Sequence, residues 1–311
     1  MLRRGNAWWL CLLLLALAAP FQSVVYPVFI MKILCYALFA CAFNLLLGYA
    51  GLLSFGHAAF FGGASYATAY LCTSLGVGPL TGIAAGALVG VVLGTVVGAI
   101  AIRRSGIYFA MVTLALAQLI YFVALQAPFT GGEDGIQNVP RGHLLGLIDL
   151  SNDTAMYYVV LVIFCAGSAL IHRVVHSPFG EILTAIRDNE ARAISLGYRV
   201  NHYKLVAFVL SSGLAGLAGS TKALVFQVST LADVHWHASG EVVLMALLGG
   251  VGTLLGPVVG AGIVVTLQNY LSDAGSWSTV IIGLVFMACV LAFRRGIVGE
   301  FKAYLEQRRR R

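Results

Sequence analysis

Apolar runs of about twenty residues recur along this chain from one end to the other, and that pattern constrains the fold more than anything else in it. The runs are Trp8–Val25, Val28–Leu47, Phe55–Cys72, Leu80–Ile102, Tyr108–Phe129, Ala155–His172 and Leu205–Phe226, then a long stretch from Val242 to Leu271 and a last run from Trp277 to Phe293. A helix of about 20 mostly apolar residues crosses the hydrocarbon core of a bilayer. The composition agrees: of 311 residues, 60% are hydrophobic and 10% charged, with a mean hydropathy of +0.92. Soluble domains carry about 25% charge, so this chain predicts an all-α, polytopic membrane helix bundle of about 8–10 transmembrane segments. Its 36 glycines fall largely inside the runs. Small residues let helix backbones approach closely where lipid supplies no hydrophobic drive.

The few charges assign sides to the bundle. Lys and Arg in short loops mark the cytoplasmic face. Arg3-Arg4, Arg103-Arg104, the segment from Arg173 to Lys204 and Arg294-Arg295 are therefore expected inside, with both termini. The segment 130–153 carries Glu133, Asp134, Asp149 and Asp153 against Arg141 and is expected outside. Parity then places residues 227–241 outside. From there an odd number of crossings must reach Arg294. Gly249-Gly250-Val251-Gly252 and Gly256-Pro257 divide 242–271 into two short segments, either a re-entrant hairpin or two crossings. The basic tail 295–311, ending in Arg308–Arg311, extends the cytoplasmic charge and would sit against anionic lipid. The net charge of +7 is thus an orientation signal, and no basic stripe interleaved with aromatics points to nucleic acid. Arg3-Arg4, the apolar core and Ala16-Leu17-Ala18 resemble a cleavable signal, but a second span follows closely and a retained helix is expected.

Four polar features stand out. Ser177-Pro178 starts a helix in the longest cytoplasmic loop, 177–200, with Ser as N-cap and Pro in the first turn. Leu183, Ile186, Glu190, Ala193, Ile194 and Gly197 then recur at helical spacing, with Arg187, Asp188 and Arg192 as polar neighbours. The acids argue against a helix lying on lipid and for one presented to a cytoplasmic protein. Second, Gly48–Gly62 inserts glycines, Ser54 and His57 at membrane depth. Irregular backbone there survives only against protein or a water-filled cavity, so His57 either braces a broken helix end or meets solute. Third, Gly249–Gly262 is a second glycine-rich interruption, readable as a repeat around a central path or as close packing. Fourth, Thr130-Gly-Gly-Glu-Asp-Gly135 is an external turn, free or docking a partner, and His235-Trp236-His237 reads as a solvated or interfacial turn.

Chemistry is conspicuously missing. No G-x-x-x-x-G-K-[ST] loop, HExxH or GxSxG occurs, the six cysteines lie in apolar runs without a CxxC pair, and none of the 12 acids falls clearly within a run. No catalytic, metal or cofactor-binding residue is expected. An active transporter of this kind would take its energy from another subunit or from an ion gradient, and the absence of acids at depth speaks against the gradient.

The residues also carry a family resemblance. Gly48–Gly62, Gly106-Ile-Tyr-Phe-Ala-Met-Val-Thr-Leu-Ala-Leu-Ala-Gln118, Thr130–Gly135, Ser177-Pro-Phe-Gly180, Ala185–Tyr198 and Gly240–Pro257 resemble, in order, the larger permease subunit of branched-chain amino acid ABC importers. The resemblance implies one transmembrane permease domain of the type II ABC importer fold in a bacterial or archaeal inner membrane. The implied partners are a second permease, two cytoplasmic ATPases and an extracytoplasmic solute-binding protein. It further implies that Arg187, Asp188, Glu190, Ala191, Ala193 and Gly197 couple to the ATPase, as an approximate match to a Glu-Ala-Ala…Gly loop in which Arg192 replaces the second Ala. Gly51, Ser54, Gly56, His57, Gly249, Gly250 and Gly252 are candidates for the path. Urea or short amides are the alternative solutes, and an ion-coupled secondary carrier the alternative class.

Overall fold

The computed structural model describes residues 26–144, 148–271, 277–292 and 296–300. The expected first span, Arg3-Arg4, Arg294-Arg295 and most of the tail 295–311 lie outside the described residues. Within them the chain forms eleven helices. These are α1 (Pro27–Asn44, continued by a π-helical turn Leu45–Tyr49), α2 (His57–Ser74), α3 (Pro79–Ala101), α4 (Ile107–Gln126) and α5 (Asp153–Val175). There follow α6 (Pro178–Asp188), α7 (Glu190–Ser195), α8 (Val200–Phe226), α9 (Trp236–Gly249), α10 (Gly256–Tyr270) and α11 (Trp277–Ala292). Five segments are long and apolar enough to cross a bilayer: Pro27–Tyr49, Pro79–Ala101, Ile107–Gln126, Asp153–Val175 and Val200–Phe226. The expected spans reappear within a few residues. Those after residue 235 are shorter, at 14, 15 and 16 residues, or about 21–24 Å against a core of ~30 Å.

Helix α8 is the hub and α3 is its main partner. Gly82, Gly86, Gly90, Gly94 and Gly98 recur every fourth residue and are buried along one face of α3. A Cβ at Gly90 would lie 2.8 Å from the Ser212 carbonyl and 3.0 Å from the Gly216 Cα, and one at Gly94 would strike Ser212 itself. The spacing is that of one ridge of an α-helix, so a smooth glycine stripe seats the α8 backbone directly on α3. Close packing of this kind is the main source of helix association in lipid.

Two ends can be told apart. At the end near Arg103 and Arg104, the inter-span helices α6 and α7 meet the π turn of α1. At the other end, the buried Arg141 donates to the Leu224 and Val225 carbonyls of α8 and to Asp153 at 2.6 Å. It thereby closes the C-terminus of α8, whose last carbonyls have no helical partner. The two-residue strands β1 (Ile136–Gln137) and β4 (Val228–Ser229) pair antiparallel there, and β2 (His143–Leu144) pairs with β3 (Ile148–Asp149).

Residues 227–241 depart from the sequence expectation. They do not stay outside but descend beside α2. Ser65 donates to Ser229 at 2.9 Å, a Cβ at Gly62 would collide with Val234, and the Ala58 N–H donates to Ser239 at 2.9 Å. The three contacts run antiparallel, while α2 continues nine residues past Ser65, about 13 Å. Helix α9 therefore starts well inside the bundle. Helices α9 and α10 form a hairpin whose turn, Gly250–Leu255, reaches the end occupied by α6. After α11, Gly296 packs on Gly250.

Candidate functional site

The two glycine-rich interruptions, 200 residues apart in sequence, meet in space. The Asn44 side chain is the clasp: its amide donates to the Thr253 carbonyl and its carbonyl accepts from the Gly252 N–H, both at 2.9 Å. A Cβ at Gly48 would lie 2.6 Å from the Gly252 nitrogen, so the π turn presses on the α9–α10 turn backbone to backbone. Asn44 could be found in the sequence only as one buried amide in an apolar run. Its partner lay too far along the chain for any local pattern to reveal.

The helix pair α6–α7 reaches this junction through Arg187. Its guanidinium donates to the Gly48 carbonyl, and its stem lies over Gly51, where a Cβ would meet the Arg187 Cγ at 2.7 Å. Its other nitrogens hold Asp188 at 2.9 and 3.1 Å. The single amphipathic helix expected from Ser177-Pro178 through Gly197 is broken in two. Asn189 adopts extended backbone and accepts from the Arg192 N–H at 2.9 Å, capping α7 while ending α6. Glu190, a coupling candidate by the resemblance, pairs with Lys204 of α8 at 2.7 Å. Ala193 packs inward with Ile186 and Val200. The outward surface is instead Ala191, Ile194, Leu196 and Tyr198, the last three 58%, 68% and 41% exposed. Gly197 closes α7 at φ +87. The Tyr198 N–H reaches the Ala193 carbonyl and the Gly197 N–H that of Ile194, a Schellman turn that selects glycine.

The candidate path residues divide. Gly51 is exposed beneath Arg187, and Gly252 is half-buried at the junction with φ +76. Gly249 and Gly250 are buried in the turn itself, a Cβ at Gly249 overlapping the Gly256 carbonyl. Ser54 is buried and accepts from the Gly56 N–H at 3.2 Å, beside the Thr113 hydroxyl that receives the Phe55 N–H. His57 is enclosed by Phe43, Phe60 and Phe208, and its Nε2 meets Ser211 at 2.8 Å. Ser211 in turn donates to the Ala42 carbonyl at 2.5 Å. In this conformation Ser54, Gly56 and His57 brace the start of α2 and face no open space.

Half-way through the bundle the descending segment opens a cleft of about 440 Å³ lined by Tyr36, Asp233, His235, His237, Glu241 and Gln268. Two acids thus lie within the bundle although in none of the predicted runs: Glu241 sits on the second turn of α9, and Asp233 is buried just before that helix. Asp233 is neutralised by Lys222 at 2.6 Å and accepts from the Thr230 N–H and hydroxyl, both at 3.2 Å. Sequence hydropathy missed both acids because the α8–α9 connection re-enters the bundle at polar residues. His235-Trp236-His237 opens α9, with His235 as its N-cap and Trp236 and His237 exposed, as a solvated or interfacial turn would be. Among the described residues no group of three potential metal ligands converges.

A bundle of packed spans, with helices between two spans gripping a glycine junction, defines a solute permease of a multi-pass membrane transporter. The chain belongs to the family described as branched-chain amino acid transport system / permease component, whose profile matches residues 28–290. It is similar to the high-affinity branched-chain amino acid transport system permease protein LivM of Escherichia coli, 26% identical over 92% of this chain and 73% of that protein. The LivM protein of Salmonella typhimurium matches to the same 26% over 93% of this chain and 74% of that protein. The ribose import permease protein RbsC of Bacillus subtilis is 29% identical over 58% of each chain. No solved structure gives a significant match. The chain is thus a LivM-like ABC permease of the inner membrane.

Proposed function

We propose that this chain is one of two permease subunits of an ATP-driven importer for branched-chain or related amino acids, working by alternating access. The observation that supports it most directly is the Arg187 contact: a helix pair between two spans, bearing an exposed apolar face, is fastened to the point where both glycine interruptions meet. In this reading Ala191, Ile194, Leu196 and Tyr198 dock in a cytoplasmic ATPase, and Gly197 shapes the turn that presents them. ATP-driven closure of two ATPases would pull α6 and α7, and Arg187 would carry the movement to the α1 and α9–α10 breaks. Interfaces between packed helices shift between discrete arrangements, which suits such a switch. The end bearing α6 and α7 is then cytoplasmic, with both termini, and the end bearing Arg141 and β1–β4 receives the binding protein.

The amino acid reading is favoured over sugar import because the LivM similarity runs through 92% of the chain and the ribose permease similarity through 58%. Reconstitution in liposomes with the second permease, the ATPases and the binding protein tests it. ATP-dependent leucine uptake is expected. Uptake that persists without any ATPase would overturn the ABC mechanism.

A further inference from the structure

The mid-bundle cleft is lined by Glu241, and Lys32 lies one helical turn from its lining residue Tyr36 without being joined to Glu241. Among the described residues the ion pairs of Lys and Arg are Arg141–Asp153, Arg187–Asp188, Lys204–Glu190 and Lys222–Asp233. Lys32 and Glu241 stand outside that set. Both are partly buried, and each feels the other's charge across the cleft. Lys32 lies one helical turn from Tyr36 on α1, hence on the same face as a cleft-lining residue. Glu241 lies on the facing wall, and Gln268 of α10 lines the same cleft. Tyr36 is the tenth residue of the 23-residue span Pro27–Tyr49, so the cleft sits near the middle of that span. Helix α9 also begins there, and broken helices whose ends meet near mid-bilayer are where transporters place their solute sites.

Ionised groups held at depth without a partner are costly and are retained where they serve a function. One ligand answers both charges at once: a molecule carrying an ammonium and a carboxylate a few ångströms apart. The nearby Asp233 is already neutralised by Lys222, so the demand of the cleft is for one positive and one negative group and not for a metal ion. The cleft volume of about 440 Å³ lies within the range of small-molecule sites.

We infer that this cleft receives the zwitterionic head of the transported amino acid, its ammonium at Glu241 and its carboxylate at Lys32. Tyr36 and Gln268 orient the head group, and His235 and His237 border it. The site rests on the amino acid import reading and gives it a location different from the glycine junction, which transmits movement. It also separates this chain from sugar permeases, whose cargo brings no charge to satisfy Lys32 and Glu241.

The test uses the complete importer in liposomes with leucine as solute. Glu241→Gln and Lys32→Gln are each expected to cut leucine uptake about tenfold or more, the scale of one lost charged hydrogen bond. Independently, Ala238→Cys places a small thiol on the cleft wall. Its modification by the cationic reagent methanethiosulfonate ethyltrimethylammonium should be slowed by leucine with binding protein and ATP, and not by ribose. Leucine uptake at the natural rate in both charge variants, or a labelling rate that ignores leucine, overturns the site and leaves the importer reading standing. An unaltered importer that carries ribose and no amino acid overturns both.

Discussion

Arg187 divides its guanidinium between Asp188, its neighbour in sequence, and the Gly48 carbonyl across the bundle. Replacing it with Gln keeps an aliphatic stem and a neutral amide and removes the charged donor. The expected result is an assembled importer that hydrolyses ATP but carries leucine about tenfold more slowly, read as the ratio of uptake to hydrolysis. Equal loss of both would make Arg187 a folding residue instead. The Lys222–Asp233 pair belongs to the same scale and has a different consequence. Its side chains are 9% and 7% exposed, and removing one partner leaves an uncompensated buried charge that costs about 3–5 kcal/mol. Lys222→Ala and Asp233→Ala should each lower the thermal unfolding midpoint in detergent, and the double variant should lose less than the sum. Full additivity would show that the two charges do not depend on one another. Neither pairing is visible in the chain as text. Lys222 lies in an apolar run and Asp233 in what reads as an outside loop, and only the re-entry of residues 227–241 joins them.

At the scale of elements, the separation of α6 from α7 depends on one residue. Asn189 ends the first helix in extended backbone and caps the second. Replacing an Asn cap by Ala costs about 0.5–2 kcal/mol, and α7 is only six residues long. Asn189→Ala should therefore raise amide hydrogen exchange in Glu190–Ser195 while α6 stays protected. Fusion of the two into one protected helix would contradict the cap. Gly197 tests the same element from its other end: a bulky residue strains the positive φ and displaces Tyr198, and uptake should uncouple from ATP hydrolysis. The uncoupling would be absent if α7 did not touch the ATPase. The 3.6-residue periodicity showed that this loop was helical and amphipathic. It did not show the break, because helical spacing continues across Asn189, nor could it show that Lys204 holds Glu190 against α8.

For the whole molecule, the descending segment and the glycine junction make the two ends unequal. The end with Arg141 carries the short strand pairs, and from it the segment 227–241 runs to residues that line the Glu241 cleft. The opposite end is closed by Arg187, Asn44 and the α9–α10 turn. Cysteine substitutions map this directly. Glu133→Cys should react with an impermeant maleimide from the outer side, Tyr198→Cys only from the inner side, and Ser229→Cys, fully buried beside α2, slowly from either. Reaction of Tyr198→Cys from outside would invert the orientation proposed above.

By itself the sequence determined that the chain is a membrane bundle, where most helices run, and which family motifs it carries. Length, apolarity and helical period are local properties, and the solvent that a span faces is written into every residue of it. The tertiary structure decided what local patterns cannot hold. It brought Gly48 onto Gly252, turned Arg187 inward, closed His57 off and carried Asp233 and Glu241 to the middle of the bundle. Each of these joins residues distant in the chain, or sets the depth of a segment that hydropathy places outside because its residues are polar. In a bilayer a polar segment is equally stable in water and against a polar interior, and only packing distinguishes the two. The scarcity of charge, plain in the composition, acquired its meaning from where the few charges meet.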